Sequence, residues 1–123
     1  MKLSAEQIQA NWEIFLNNIE EHIPGNRGEC LVNFYKRYEE RIMLMPASHK
    51  KEYHSAFPGG YVDHVNRVVD ASLKMYGVWE QFGMDTSTFT IEELVFSAIN
   101  HDLGKIKNMK HIYLRLIIGD VIN

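Results

Sequence analysis

The chain has little cysteine, little net charge and no long apolar run, and each shortage excludes a class of protein. Its 123 residues include one cysteine, Cys30, which excludes a disulfide framework and a cluster of thiolate metal ligands. The formal net charge of −3 excludes the strongly basic surface of general nucleic-acid binding proteins. No apolar run approaches the ~20 residues of a membrane span, and the first residues form no signal region. We therefore expect a cytoplasmic protein with no membrane partner.

Length and composition predict one globular domain over residues 1–123. The hydrophobic fraction of 46% and the charged fraction of 24% are ordinary values for a soluble protein. A chain of this length buries a modest core. Because the net charge of −3 offers no basic surface, a small or locally shaped phosphorylated molecule is easier to accommodate as a partner than a long duplex.

Apolar residues recur at helical spacing over most of the chain, and this pattern predicts an all-α fold, a compact helical bundle. The first helix is expected to follow Ser4, because Ser4 and Gln7 form a capping-box pattern, and to end near Pro24. The second is expected over about residues 28–45, where Pro46 stops it. Aromatic residues on the apolar faces of both helices are predicted to be core: Trp12, Phe34 and Tyr38.

Two later helices are expected to hold the functional residues. One is predicted over about residues 61–82, after two adjacent glycines. The other begins at about residue 91, after a second capping-box pattern, and ends at His101-Asp102. A loop over residues 83–87 separates them, so the two helices can pack antiparallel. The apolar segment 112–118 fits a buried strand or a short helix equally well.

His64, His101 and Asp102 are the residues with the clearest chemistry. His64 is expected in the middle of one helix and the pair at the end of the other, so antiparallel packing brings the two imidazoles together. Two nitrogen donors and a carboxylate suit a divalent ion of the iron, manganese or magnesium kind. Gly104 would allow a tight exit from the helix, so that Lys105 turns back and offers a point charge to a phosphate.

These residues belong to two strings, Gly59-Gly60-x-x-x-His64 and His101-Asp102-x-Gly104-Lys105. Over about residues 52–107 they resemble the motifs of the HD superfamily of metal-dependent phosphohydrolases. The resemblance implies an HD-domain-like helical bundle in which His64, His101 and Asp102 bind a divalent metal. It also implies hydrolysis of a phosphoester in a nucleotide or at a single-stranded nucleic-acid end.

Catalytic and substrate-binding roles follow from the same resemblance. We expect Asp102 and Lys105 to act in catalysis, and Lys105 also to bind the substrate phosphate. His54 lies ten residues before His64, as in a subset of the family that includes 3′→5′ exoribonucleases, and is a second candidate for substrate binding. Asp63 faces another direction on the helix and is predicted to be a surface residue. The remaining histidines are also predicted to lie at the surface: His22, His49 and His111.

The family pattern ends in a further aspartate from a later helix, whereas 21 residues follow Asp102 here. Asp120 is the aspartate among them and is the candidate closing ligand. We expect the C-terminal part of the usual domain to be missing and a homodimer to bury the apolar surface left exposed. The alternative function is a weakly active or non-catalytic module that binds a metal or nucleotide and acts through a partner. In a third interpretation the histidines only pack.

Overall fold

The computed structural model describes residues 2–47 and 57–105, and within these ranges the fold is a compact all-α bundle, as predicted. The elements are α1 (Ala5–His22), α2 (Gly25–Arg37), α3 (Glu39–Met43), α4 (Gly60–Gln81), α5 (Ile91–Asn100) and a final 3-10 turn (Leu103–Lys105). No helix in these ranges is long and apolar enough to span a membrane. The predictions for residues 49, 54, 111, 112–118 and 120 lie outside the described residues.

The helix starts marked by capping patterns are confirmed. Ser4 Oγ accepts a hydrogen bond from the Gln7 backbone N–H at 3.1 Å, and the Ser4 N–H donates to Gln7 Oε1 at 2.8 Å. At the start of α5, Thr90 Oγ1 accepts from the Glu93 N–H at 3.1 Å. The Glu93 carboxylate accepts from the Thr90 hydroxyl at 3.3 Å, so this second cap is held through side chains. At the starts of α1 and α5, these side chains therefore accept hydrogen bonds from backbone N–H groups that have no partner within the helix.

The prediction of one helix over residues 28–45 is wrong, because the chain turns at Tyr38 between α2 and α3. Tyr38 has φ −110° and ψ 21°, and its N–H donates to the Tyr35 carbonyl at 3.1 Å, three residues back. This tighter bond ends α2 and redirects the chain, so that Ile42 of α3 is fully buried. Helical periodicity survives a one-residue interruption of this kind, which is why the sequence pattern did not show it.

Helix α1 lies at the centre of the bundle and contacts α2, α3, α4 and α5. Its Trp12 ring stacks on Phe15 with centroids 5.4 Å apart, and Phe15 meets the Tyr35 ring edge-on at 4.8 Å. Trp12 and Phe34 are buried, as predicted, while Tyr38 is partly buried against the core. These aromatic contacts contribute both apolar burial and specific ring geometry to the stability of the fold.

A polar contact joins α1 to the start of α4, and it corrects the prediction that Asp63 is a surface residue. The Asp63 side chain is 15% exposed and accepts hydrogen bonds from Asn11 Nδ2 at 3.3 Å and from Arg67 Nε at 2.9 Å. Asn66 Nδ2 donates to the Asn11 carbonyl at 2.9 Å. The spacing along α4 pointed Asp63 away from the apolar face and gave no sign of the amide on α1 that binds it.

The backbone conformation and close packing at position 59 explain why the Gly-Gly string begins with a glycine. Gly59 is the residue that precedes α4 and has φ +84°, a left-handed conformation that disfavours residues with a side chain. A Cβ atom there would lie 2.8 Å from Cγ1 of Ile8. The start of α4 therefore approaches α1 more closely than any larger residue permits.

The loop between α4 and α5 is held by its own polar residues. Gly83 has φ +76°, and the Asp85 carboxylate accepts from the Ser87 hydroxyl at 2.5 Å and from its N–H at 2.9 Å. These two bonds, the hydroxyl bond foremost, lower the pKa of the Asp85 carboxyl below its ordinary value. The carboxylate is thus charged at neutral pH and accepts both hydrogen bonds from Ser87, which favours this turn before α5.

Two glycines inside helices give a matched pair for testing the packing of α1 against α2. A Cβ atom on Gly28 would overlap the carbonyl oxygen of Ile23, whereas one on Gly77 of α4 would meet nothing within 4 Å. We predict that Gly28→Ala lowers the free energy of unfolding by about 1–3 kcal/mol, because the backbone between α1 and α2 must move to make room for the new methyl group. Gly77→Ala should raise it by about 0.5–1 kcal/mol through helix propensity. Urea denaturation followed by circular dichroism measures both, and a Gly28→Ala variant as stable as the original would contradict the close approach.

Candidate metal centre

The candidate centre lies where the start of α4 meets the end of α5. His64 is in the second turn of α4, nearer to the helix start than the predicted middle position. His101 is the residue that ends α5, with φ −61° and ψ −30°, and Asp102 follows it. His64 near the start of α4 meets Asp102 just beyond the end of α5, and the two helices pack against each other, as the predicted antiparallel arrangement requires. Residues 38 positions apart in sequence are thereby brought together.

Two imidazole nitrogens converge on one carboxylate oxygen. Asp102 Oδ2 lies 3.4 Å from Nε2 of His64 and 3.1 Å from Nε2 of His101, and the two ring centroids are 5.6 Å apart. One ligand atom from each of the three residues lies within 4.8 Å of the other two. The side chains of His64 and Asp102 are 19% and 17% exposed, and that of His101 is 36% exposed. The group is therefore lined by protein on one side and open to solvent at His101.

The spacing of these atoms fits a shared divalent ion. Two ligands each ~2.1 Å from an ion are separated by ~3.0 Å at a right angle and by ~3.4 Å at the tetrahedral angle. The observed nitrogen–oxygen separations of 3.1 and 3.4 Å lie within or close to that interval. One ligand atom from each of His64, His101 and Asp102 lies within 4.8 Å of the other two, so the three could hold such an ion after side-chain adjustments that bring the imidazoles closer together.

The orientation of the His101 ring is fixed by the backbone of its own helix. Its Nδ1 lies 2.7 Å from the Ala98 carbonyl oxygen, which can only accept a hydrogen bond. Nδ1 therefore bears a proton, and in the neutral ring Nε2 presents a lone pair to the Asp102 oxygen. Two electron-rich atoms at 3.1 Å repel each other unless a proton or a metal ion lies between them. A histidine whose other nitrogen donates to a carbonyl is the usual arrangement around metal ions in proteins.

The structure differs from the sequence prediction at Gly104. The chain leaves α5 through the 3-10 turn at Leu103–Lys105, and the described glycines with positive φ are at positions 25, 59 and 83. A Cβ atom on Gly104 would meet nothing within 4 Å, so the exit does not require a glycine. The side chain of Lys105, together with His54 and Asp120, lies outside the described part of the structure.

Sequence reasoning missed a buried polar residue directly before the ligand pair. Asn100 is 2% exposed, and its Oδ1 accepts a hydrogen bond of 2.6 Å from the Tyr35 hydroxyl. Its Nδ2 donates to the Phe96 carbonyl at 2.9 Å. The available signal was an amide that follows apolar residues at the end of this helix, next to two candidate ligands.

The geometry predicts the protonation of His101. In ¹⁵N-labelled protein without metal, at a pH where the ring is neutral, the His101 imidazole should show its proton on Nδ1, because the Ala98 carbonyl accepts it. Histidine side-chain NMR distinguishes the two tautomers, and His22 on α1 serves as a reference ring in the same spectrum. A neutral His101 ring with its proton on Nε2 would contradict this arrangement.

Comparison of the chain with protein-family models, with curated proteins and with solved structures gives no match. The resemblance to the HD superfamily therefore depends on the two motif strings and stays a prediction. What the structure adds is independent of that resemblance: His64, His101 and Asp102 form a group of potential metal ligands between α4 and α5.

Proposed function

We propose that this chain binds a divalent transition metal through His64, His101 and Asp102 and hydrolyses a phosphoester in a nucleotide or at a single-stranded nucleic-acid end. The observation that supports this proposal best is the convergence of two imidazole nitrogens on one oxygen of Asp102, at 3.4 and 3.1 Å. Mixed nitrogen and oxygen donors favour manganese or iron over magnesium, which prefers oxygen ligands alone.

The charge of the ligand set favours an anionic substrate. Two neutral imidazoles and one carboxylate leave a divalent ion with a net charge of +1, which attracts a phosphate oxygen. Such an ion, when bound, polarises the phosphoryl group and lowers the pKa of a water molecule. His64 and His101 hold the site in place from two different helices, and the exposed side of His101 leaves room for the substrate. Lys105, three residues after Asp102, would add a positive charge for the phosphate.

A second candidate function is a module that binds a metal or nucleotide without turnover. The group has three members among the described residues, with one carboxylate. Fewer ligands place the substrate and water less tightly, and catalysis is sensitive to positions at the level of an ångström. The closing aspartate expected from the family pattern is Asp120, which lies outside the described residues.

Metal binding is tested directly with two ligand variants and a histidine control. Titration calorimetry with Mn²⁺ should show binding to the unaltered chain and a loss of more than about 100-fold in affinity in His64→Ala and His101→Ala, because second-shell changes alone already cost 10–100-fold. His22→Ala removes a histidine near the end of α1 and should leave the affinity unchanged. Equal affinity in all four proteins would show that the ligand assignment is wrong.

Turnover is tested with bis(p-nitrophenyl) phosphate and a panel of nucleotides and short single strands in the presence of Mn²⁺. We expect slow hydrolysis that EDTA abolishes and that Asp102→Asn eliminates, because the substitution removes the carboxylate ligand. If Asp120 closes the site, Asp120→Asn abolishes hydrolysis as well. Hydrolysis that persists in EDTA would refute the proposal, and metal binding with no turnover on any substrate would favour the binding module.

A further inference from the structure

Asn100 is the one polar side chain that is buried among the described residues. Placing an amide in an apolar interior costs free energy unless each of its polar atoms finds a partner. Here both do: Oδ1 accepts from the Tyr35 hydroxyl at 2.6 Å, and Nδ2 donates to the Phe96 carbonyl at 2.9 Å. An apolar residue at this position would pack in the core without needing hydrogen-bond partners. The presence of an amide therefore suggests a role other than packing.

Tyr35 gives Asn100 a rigid partner on another helix. The Tyr35 ring is fully buried on α2, where Phe15 meets it edge-on at 4.8 Å and Phe34 at 5.2 Å. These contacts fix the ring plane and therefore the position of the hydroxyl. The Tyr35 oxygen also lies 3.5 Å from the Ile99 carbonyl oxygen, so the hydroxyl contacts two successive residues at the end of α5.

The position of this contact along the chain is what connects it to the candidate metal centre. Asn100 is the last residue of α5, and His101 and Asp102 follow it directly. The final turn of a helix lacks part of its hydrogen bonding and frays more readily than the interior. A buried bond from α2 to Asn100 holds the backbone at the point from which both ligand side chains project.

We propose that the buried Tyr35–Asn100 hydrogen bond positions His101 and Asp102 for metal binding. This inference rests on the proposed function, since it assigns the pair a part in building that same site. Tyr35 and Asn100 are positioning residues, because they act through the backbone of α5 and do not contact the ion.

A pair of Tyr→Phe variants tests the role of the hydroxyl. Co²⁺ serves as the probe, because its visible absorption reports coordination geometry as well as occupancy. Tyr35→Phe should weaken Co²⁺ binding about tenfold and alter the absorption bands. This is the low end of the 10–100-fold cost of losing a ligand's own hydrogen-bond partner, because Tyr35 acts one step further out, through Asn100. Tyr38→Phe, three residues later at the turn between α2 and α3 with its ring on Phe34, should stay within twofold of the unaltered chain and keep its spectrum.

A double variant separates positioning from stability. Tyr35→Phe alone leaves the Asn100 oxygen buried without its donor and should lower the thermal midpoint. Tyr35→Phe with Asn100→Leu removes both polar partners, so the thermal midpoint should recover, because replacing both members of a buried pair is far less costly than removing one. Co²⁺ affinity should remain about tenfold weaker in the double variant, which has no bond to hold the end of α5.

The outcomes are distinguishable. If the unaltered chain binds Co²⁺ and both Tyr35 variants bind it equally well with the same spectrum, the positioning role is overturned while the metal site stands. If affinity in the double variant recovers together with the thermal midpoint, the pair is structural only, and the inference is also overturned. If the unaltered chain binds no Co²⁺ or Mn²⁺, the proposed function fails, and the inference fails with it.

Discussion

The close approach of two imidazoles to a single carboxylate oxygen is the constraint on which the arrangement at this end of the bundle depends. His101 Nε2 and Asp102 Oδ2 are 3.1 Å apart, and the bond from His101 Nδ1 to the Ala98 carbonyl directs a lone pair at that oxygen. With a neutral His101 ring these two electron-rich atoms repel each other, and a proton or a metal ion between them relieves that repulsion. The surrounding helices hold the three side chains close together.

Helices α1 and α2 form the frame that holds the two ligand-bearing helices in place. Asn11 of α1 binds Asp63, the residue before His64, and Gly59 lets the start of α4 settle against Ile8. Tyr35 of α2 binds Asn100, the residue before His101. Each candidate histidine thus follows a residue that is tied to the N-terminal half of the chain. The N-terminal helices therefore contribute to the site without supplying a ligand.

Much of this architecture follows from local sequence patterns. The remainder depends on contacts between residues far apart in the sequence, which local patterns do not reveal. The Ser4 and Thr90 caps and the antiparallel α4–α5 pair were predictable, since capping and helical spacing are properties of neighbouring residues. The turn at Tyr38 was not, because it depends on packing against α1 and on Ile42 entering the core. Asp63 was misplaced for the same reason: its partner is 52 residues away. The grouping of His64 with His101 could be predicted because a short loop joins their helices.

The C-terminal end of α5 has an electrostatic consequence for any cation in this region. The carbonyl groups of the last turn concentrate about half a negative charge there, and α5 has no basic residue in that turn to offset it. A cation held by His101 and Asp102 would thus neutralise the helix pole and serve as its cap. Cation binding and the stability of this last turn would then be linked, so that occupancy would add to the stability of the folded chain.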